Sequence, residues 1–336
     1  MVREALLYER KEENKVRCGL CAHRCVIAPG KRGICAVREN RDGVLHTLVY
    51  GALIAGNVDP IEKKPLFHLH PGSKSFSIAT AGCNFSCTFC QNADISQLPR
   101  EGGLIQGHET PPAVVVESAV RSGSRTIAYT YTEPTIFFEY ALDIARMATG
   151  RGLENVFVTN GYMTPEALDR IGADLHGANV DLKSFSDEFY RKRCGARLEP
   201  VLTTLREMKR RGIWVEVTTL VIPGLNDSDG ELREIASFLV SLGPEIPWHI
   251  SRFHPRYRLM SAPATPVETI HRAVQIGKEA GLKYVYSGNV PGDAGESTAC
   301  ASCGKLLIRR WSFTIVENRL QGGVCPQCGT RLDGIF

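Results

Sequence analysis

The sequence predicts an α/β fold: an open (β/α)6 partial barrel with a small metal-binding module at each end. Short β-rich runs alternate with amphipathic helical segments between about residues 74 and 286, and 11 of the 12 cysteines fall into three groups within and beyond that region. Repeated strand–helix units imply a parallel sheet with right-handed crossovers. About six units are too few for a closed eight-unit barrel, and a doubly wound sheet is the alternative on pattern alone.

The strands and helices follow one another in strict alternation. The predicted strands cover 74–80, 126–131, 155–159, 178–183, 213–222, 248–251 and 284–286, and the predicted helices cover 111–122, 134–148, 164–170, 200–211, 229–241 and 266–280. Thr164 and Pro165 mark one helix start as cap and first residue. We expect three regions: an N-terminal four-cysteine region at 1–70, the partial barrel at 71–292 and a C-terminal module at 293–336.

Composition and charge narrow the class of protein. The 336 residues are 43% hydrophobic and 23% charged, so disorder is not expected. Metal-bound thiolates would offset the formal charge of +4, which is therefore no sign of nucleic-acid binding. The first ten residues are too charged for a signal peptide, and no run approaches the ~20 apolar residues of a membrane span. We expect a cytoplasmic, reducing location, where metal ligation is favoured over disulfides.

The most informative motif is Cys83-x3-Cys87-x2-Cys90, hereafter the triplet. Three thiolates at this spacing hold three corners of a [4Fe-4S] cluster and leave the fourth iron without a protein ligand, whereas ordinary ferredoxin clusters use four cysteines. The motif resembles that of the radical SAM superfamily. In that superfamily S-adenosylmethionine (SAM) chelates the open iron, and one electron releases a 5′-deoxyadenosyl radical. An exposed cluster of this kind is oxygen-labile, which indicates an anaerobic setting.

Residues at the carboxyl ends of the predicted strands are the candidate SAM contacts, since chemistry in parallel α/β folds is found there. Phe89 is expected to pack on the adenine, with a hydrophobic plug as the alternative. Glu133, in Tyr-Thr-Glu-Pro, is expected to bind the methionine ammonium, with helix capping as the alternative. Asn160 is expected to reach the ribose, although an Asn-Gly turn explains it as well.

Two further strand ends carry charged or titratable side chains. Lys183 is expected to neutralise the SAM carboxylate while Asp181 orients it; a structural ion pair is the alternative. His254, after the sixth strand, is a candidate SAM or substrate contact, with a satisfied core histidine as the alternative. No catalytic side chain is identified. Cys194 would be a hydrogen-donating or substrate-linking thiol only if it were exposed with a lowered pKa.

A narrower resemblance rests on seven further runs. The runs 59–68, 83–92 and 222–227 look like relatives of the pyruvate formate-lyase activating enzymes. The runs 131–134, 181–185, 248–255 and 288–292 are similar to one branch of them, the AmmeMemoRadiSam system radical SAM enzymes. That resemblance implies association with Memo-like and AMMECR-like proteins. Glycyl-radical activases place an arginine on the fifth strand, where this sequence has Thr218, and insert extra cysteines just after the triplet rather than at the chain ends.

The remaining cysteines form two four-cysteine groups. Cys300, Cys303, Cys325 and Cys328 form two knuckles joined by a predicted hairpin, the pattern of a zinc ribbon or of a rubredoxin-like iron centre. Cys18, Cys21, Cys25 and Cys35 are also expected to bind metal, either zinc or an auxiliary Fe-S cluster.

The sequence therefore predicts a radical SAM enzyme that abstracts hydrogen from an unidentified small molecule or protein. An electron donor such as flavodoxin or ferredoxin is implied. A glycyl-radical activase is the second hypothesis, and a metal-dependent scaffold or electron-transfer protein is the third.

Overall fold

The computed structural model describes residues 2–336 and contains a central nine-stranded sheet. Seven of its strands are parallel neighbours in chain order, and we number them first to seventh. They are Lys74–Thr80, Thr126–Tyr129, Glu154–Thr159, Gly177–Asp181, Trp214–Val221, Trp248–Arg252 and Val285–Gly288. The strand order never reverses along the sheet, so the doubly wound alternative is wrong.

Six helices connect the parallel strands, one after each of the first six. They are Pro112–Arg121, Phe138–Thr149, Pro165–Ile171, Leu198–Arg210, Asp229–Leu242 and Val267–Glu279. The first strand pairs with the antiparallel strand Ala52–Pro60, which in turn pairs with His108–Glu109. Within the described residues the first and seventh strands do not pair, so the predicted open (β/α)6 partial barrel is confirmed.

Burial explains why these segments form strands. All four residues of the second strand are buried, as are five of the seven residues of the first strand. Strands covered on both faces read as continuous apolar runs, which is the pattern of a parallel sheet packed under helices. No helix within residues 2–336 combines the length and apolar character needed to cross a membrane.

Smaller sheets lie outside the barrel. Strands Tyr8–Arg10, Val16–Cys18 and Val26–Ile27 form one; Arg3–Glu4, Val44–Thr47 and Arg38–Arg41 form another; and Thr298–Ala299, Leu306–Trp311 and Thr314–Asn318 form the C-terminal one. Short helical segments are Ile61–Lys63, Ala93–Ser96, Leu98–Glu101, Pro134–Phe137, Gly172–Asp174, Asp187–Phe189, Tyr190–Cys194 and Ala294–Glu296. The three-region division stays a prediction, although strand 52–60 belongs to the central sheet.

A buried polar network closes the barrel near the amino ends of the strands. Glu216 accepts hydrogen bonds from the amides of Phe67 at 3.0 Å and His68 at 2.8 Å, and its carboxylate lies 2.7 Å from His249 Nε2. Arg310 of the C-terminal module lies over the ring of Phe67 and donates to its carbonyl at 3.0 Å. The C-terminal module is therefore docked on the barrel through buried contacts.

Thr164 joins the N-terminal region to the barrel and supports a first prediction. Its hydroxyl caps helix Pro165–Ile171 by accepting from Ala167 N, and it donates to the carbonyl of Gly19 at 2.8 Å. Thr164→Ala is expected to lower the free energy of unfolding by about 1 kcal/mol, the usual effect of removing such a cap. Denaturant unfolding measures this change in free energy. The control is Thr203→Ala, at a half-buried helix position that caps no helix. Equal effects of the two changes would contradict the capping role of Thr164.

Candidate functional site

A cavity of about 530 Å³ opens at the carboxyl ends of the parallel strands. All three cysteines of the triplet line it. Five of the six predicted cofactor contacts line it as well: Phe89, Glu133, Asn160, Asp181 and Lys183. Residues spread over about 100 positions of the chain thus meet in one place, because parallel strands bring their carboxyl ends to a single edge.

The triplet loop is fixed by hydrogen bonds to its backbone. The amide of Ser86 donates to the carbonyl of Cys194 at 2.9 Å, and Arg100 donates to the carbonyls of Phe85 at 3.0 Å and Cys83 at 3.2 Å. A Cβ atom at Gly195, whose φ is +69°, would lie 2.5 Å from Ser86 Oγ, so only glycine permits this approach. The three sulfurs are therefore presented on a rigid loop, as a cluster requires.

Glu133 is a buried carboxylate held by four hydrogen bonds. Oε1 accepts from the amide and hydroxyl of Thr135 and from Thr159 Oγ1, and Oε2 accepts from the amide of Asn160 at 2.8 Å. Burial raises the pKa of Glu133 in spite of these donors. No basic side chain in residues 2–336 forms an ion pair with Glu133. The carboxylate lines the cavity, and its Oε2 has a free lone pair that could accept from a cationic group.

Asn160 lies between Glu133 and the triplet. Its side-chain amide donates to Asn84 Oδ1 at 2.8 Å and lies 3.8 Å from the sulfur of Cys83. Its Oδ1 accepts from the amide of Tyr162 at 3.1 Å, which is the turn that the sequence allowed as an alternative. Asn160 therefore both shapes the turn and approaches a cysteine of the triplet.

Lys183 and Asp181 form an ion pair at the end of the fourth strand, with Nζ 2.9 Å from Oδ2. Burial alone would lower the pKa of Lys183, but the charges of Asp181, Cys87 and Cys194 together outweigh burial and raise the pKa well above its usual value. The ammonium also lies 5.9 Å from the ring centroid of Phe89. Lys183 is thus a cation that lines the same cavity as Glu133.

A second charged group at the cavity mouth was not predicted from the sequence. Lys64 is buried and donates to Asp59 at 2.7 Å, and the hydroxyl of Tyr131 donates to the same carboxylate. Burial lowers the pKa of Lys64 to about 8. The run 59–68 was recognised as a motif, but the contact with Tyr131 arises only when strand Ala52–Pro60 pairs with the first parallel strand.

One candidate lies outside the cavity, and another lacks the features of a reactive thiol. His254 is exposed and does not line the cavity, so its assignment as a cofactor or substrate contact stays a prediction that the cavity geometry does not support. Phe253, just after the sixth strand, is buried, and the buried histidine within that strand is His249. Cys194 is fully buried, and burial raises its pKa, so it lacks the exposure and lowered pKa of a reactive thiol.

The C-terminal cysteines have the geometry of a single-ion site. Sγ of Cys300 lies 3.6 Å from Sγ of Cys328, and Sγ of Cys303 lies 3.8 Å from Sγ of Cys325. Four sulfurs at about 2.3 Å from one ion stand roughly 3.8 Å apart in a tetrahedron. Four thiolates complete that shell, so this four-cysteine site leaves no position for a substrate.

We expect Cys328→Ser to remove one metal ion per chain and to leave the iron of the triplet in place. The reason is that Cys328 is one of four ligands in a module whose small core depends on the metal for its order. Elemental analysis after dialysis against a mild chelator measures the loss. Ser302→Ala beside the site is the control, and an unchanged metal content in Cys328→Ser would contradict the assignment.

The described residues also bring Cys18, Cys21, Cys25 and Cys35 together around a separate, smaller cavity.

Comparison with known proteins adds the family context. The profile of the Radical SAM superfamily matches residues 77–239. An uncharacterized protein of Methanocaldococcus jannaschii is 46% identical over 335 residues, covering 99% of each chain. The isethionate sulfite-lyase activating enzyme of Oleidesulfovibrio alaskensis is 28% identical over 183 residues, covering 52% of this chain and 59% of that enzyme. Among solved structures, Streptococcus suis SuiB bound to S-adenosylmethionine matches 68% of this chain and 53% of its own, with a TM-score of 0.51 and 10% identity, which shows a shared fold.

Proposed function

This chain belongs to the radical SAM superfamily and is a radical SAM enzyme with a [4Fe-4S] cluster and SAM as cofactors. From that premise we propose that it abstracts a hydrogen atom from an unidentified substrate. When bound, the cluster supplies one electron to SAM and so releases a 5′-deoxyadenosyl radical. The observation that supports the proposal is the single cavity shared by the triplet, a buried carboxylate without a cation, and a permanent cation.

Glu133 is proposed to bind the ammonium of SAM. An unpaired buried carboxylate is costly, and a cationic ligand relieves that cost. SAM carries both an ammonium and a sulfonium, and Glu133 lies next to Asn160, which approaches Cys83. The hydrogen bonds from Thr135 and Thr159 hold the carboxylate still, so that binding requires no rearrangement of Glu133.

Lys183 is proposed to meet the carboxylate of SAM. The fifth-strand position that holds an arginine in glycyl-radical activases is Thr218 here, and its hydroxyl donates to Asn179 Oδ1 at 2.9 Å. Lys183 lies just beyond the neighbouring strand, which pairs Asp181 with Thr218 in register. The ion pair with Asp181 favours the charged form of Lys183 and holds its ammonium at the cavity lining.

Phe89 and Asn160 are proposed to contact the nucleoside part of SAM. Phe89 is buried, and its ring centroid lies 5.8 Å from that of Phe189. Its side chain lines the cavity beside the triplet. An aromatic face of this kind packs well against adenine. Asn160 lines the same cavity, and its Oδ1, which accepts from Tyr162, has a second lone pair for a ribose hydroxyl.

Glycyl-radical activation is a second candidate, favoured by the similarity to the isethionate sulfite-lyase activating enzyme. Thr218 in place of arginine and the position of the extra cysteines at the chain ends speak against it. A scaffold or electron-transfer role is disfavoured, because neither needs the charged pair that faces the triplet across the cavity.

A radical SAM enzyme needs an electron donor, and we propose flavodoxin or ferredoxin in that role. We also propose a cytoplasmic, reducing setting, which suits twelve cysteines that form no disulfide in the structure. Association with Memo-like and AMMECR-like proteins is proposed from the resemblance alone.

The test uses transfer of deuterium to 5′-deoxyadenosine. Reduced enzyme is mixed with SAM and with an extract of cells grown in deuterated medium, separated into small-molecule and protein fractions. The proposal expects deuterated 5′-deoxyadenosine with one fraction. A glycyl-radical signal in the protein fraction would favour the activase, and unlabelled product with both fractions would contradict hydrogen abstraction from a cellular substrate.

A further inference from the structure

The four N-terminal cysteines converge although no regular element joins them. Cys18 ends strand Val16–Cys18, and its amide donates to the carbonyl of Cys25 at 2.9 Å. Cys21 forms an isolated bridge with Met163 of the barrel, and Cys35 lies in the turn before strand Arg38–Arg41. All four line one cavity, together with Arg38 and Ile136.

Their spacing is not that of a single-ion site. Among residues 2–336, the C-terminal four are the one set of three or more Cys, His, Asp or Glu residues whose ligand atoms all lie within 4.8 Å of one another. The N-terminal four fall outside that limit, and so does the triplet, whose superfamily holds a [4Fe-4S] cluster. Each cysteine of a cubane binds a different iron, so the sulfurs stand farther apart than around one ion. The N-terminal four share the wider arrangement.

The buried guanidinium of Arg38 lines the same cavity and lacks hydrogen-bond acceptors for two of its nitrogens. The side chain of Arg38 is 2% exposed. Nη2 donates to Glu139 at 2.6 Å and to the carbonyl of Leu6 at 2.7 Å, but within the described residues Nε and Nη1 have no acceptor. Leaving two buried N–H groups unpaired is costly. Since Arg38 lines the cavity, an anionic group with acceptor atoms between the four cysteines would offer an acceptor to the donors that face it.

The N-terminal cysteines adjoin the triplet directly. Arg100 Nη2 donates to the carbonyl of Ile34 at 2.9 Å and to that of Cys83 at 3.2 Å, and so joins the two groups. A Cβ atom at Gly82 would lie 3.5 Å from the carbonyl oxygen of Cys35. No layer of other residues separates the two backbones at these points.

We propose that Cys18, Cys21, Cys25 and Cys35 bind a second [4Fe-4S] cluster, closed by four thiolates, and that Arg38 donates hydrogen bonds to its sulfur atoms. The cluster takes one electron from a low-potential one-electron donor and passes it to the cluster at the triplet; no bond forms or breaks in the transfer. Hydrogen bonds to cluster sulfurs and nearby charge set the reduction potential, so Arg38 is a positioning and tuning residue. The cluster itself does not depend on the proposed function, whereas the electron transfer does.

The first experiment counts iron and sulfide in anaerobically purified full-length protein. Wild type is expected to hold two cubanes' worth. A variant with Cys83, Cys87 and Cys90 all changed to alanine is expected to keep half of the inorganic sulfide and a reduced-cluster paramagnetic resonance signal that SAM does not alter. The variant in which Cys18, Cys21, Cys25 and Cys35 are all changed to serine is expected to keep the other half, with a signal that SAM alters.

A triplet-alanine variant with no inorganic sulfide, and with a second single metal ion besides the one expected at the C-terminal four cysteines, would overturn the proposal, because the N-terminal site would then be a single-ion site. This outcome leaves the proposed function intact, since that function rests on the triplet. Wild-type protein with a single cubane's worth of sulfide would overturn it as well, even if the serine variant failed to fold.

Arg38 is tested by potentiometric titration of the triplet-alanine variant, in which only the second cluster remains. Arg38→Gln is expected to lower the reduction potential of that cluster, because it removes a positive charge and N–H donors from the reduced, more negative state. Arg38→Lys, which keeps the charge, is expected to shift it less, and Arg41→Gln on the exposed end of the strand is the control. Equal potentials in the Arg38→Gln variant and its parent would overturn the role of Arg38.

Discussion

Changing any one of Cys83, Cys87 and Cys90 to alanine is expected to abolish cleavage of SAM. The three cysteines line one cavity from a loop held at Ser86 and Phe85, and a cluster with only two protein ligands is not stably held there. Burial raises the pKa of Cys83 well above its usual value, so the thiol is protonated without a metal. Metal binding is what deprotonates it to the thiolate that serves as ligand. Iron content, SAM binding and 5′-deoxyadenosine formation measure the effect in anaerobically reconstituted protein.

Cys194→Ser is the matched control for these variants. Cys194 is buried beside the loop, and its carbonyl accepts from Ser86, but its thiol is not part of the triplet. We expect this variant to retain the triplet cluster and SAM cleavage. Formation of 5′-deoxyadenosine by a triplet variant, under reducing and oxygen-free conditions, would show that the reaction site has been assigned to the wrong cysteines.

Lys183→Met is expected to weaken SAM binding by roughly tenfold to 150-fold, the equivalent of about 1.5–3 kcal/mol for a lost charge-assisted hydrogen bond. Methionine keeps much of the length of the side chain and removes the charge. Asp181 is 38% exposed at its side chain, so water can solvate the carboxylate left behind and the fold is expected to survive. Equilibrium dialysis with SAM, without reductant, separates binding from cleavage.

Lys192→Met is the control for this change. Lys192 pairs with Glu188 on an exposed surface, where such pairs contribute little, and SAM affinity should stay the same. Glu133→Gln is expected to weaken SAM binding to a similar degree as Lys183→Met, since the amide keeps the shape of the site but loses the negative charge. If SAM affinity is unchanged in both Lys183→Met and Glu133→Gln, the two residues do not bind SAM. Their roles would then be structural: Lys183 as a partner in an ion pair, and Glu133 as a helix cap.

The parallel strands and their helices could be predicted closely because each carries its own local signal. The first strand was predicted at 74–80 and is found there, and the cap and first residue at Thr164 and Pro165 are found as expected. Strand Ala52–Pro60 was not predicted. It carries no strict alternation, and it forms because the edge of the first strand offers unpaired backbone groups, which is information that the segment itself does not contain.

The site was predictable only where a strand end and a motif coincide. Glu133 and Lys183 closely follow buried runs, so the topology alone carries them to one edge. The group of Asp59, Lys64 and Tyr131 depends on antiparallel pairing of a strand that the sequence did not reveal. His254 was chosen because it follows the sixth strand, but that strand ends at Arg252, and beyond it Phe253 is buried while His254 is exposed.

Cysteine spacing in the sequence left the metal of both four-cysteine groups open, since zinc and iron accept the same ligands. The structure separates the two groups: the four C-terminal sulfurs all lie within 4.8 Å of one another, whereas no three of the N-terminal sulfurs within the described residues do.

The most direct test of the assigned site is the formation of 5′-deoxyadenosine by wild-type protein that carries an intact triplet cluster. Purified, reconstituted protein is reduced with dithionite in the absence of oxygen, SAM is added, and the product is quantified against time by mass spectrometry. We predict 5′-deoxyadenosine and methionine in equal amounts, formed only with reductant. Cluster-loaded protein that binds SAM and yields neither product under these conditions would contradict the assignment of this chain's cavity as a site of SAM cleavage.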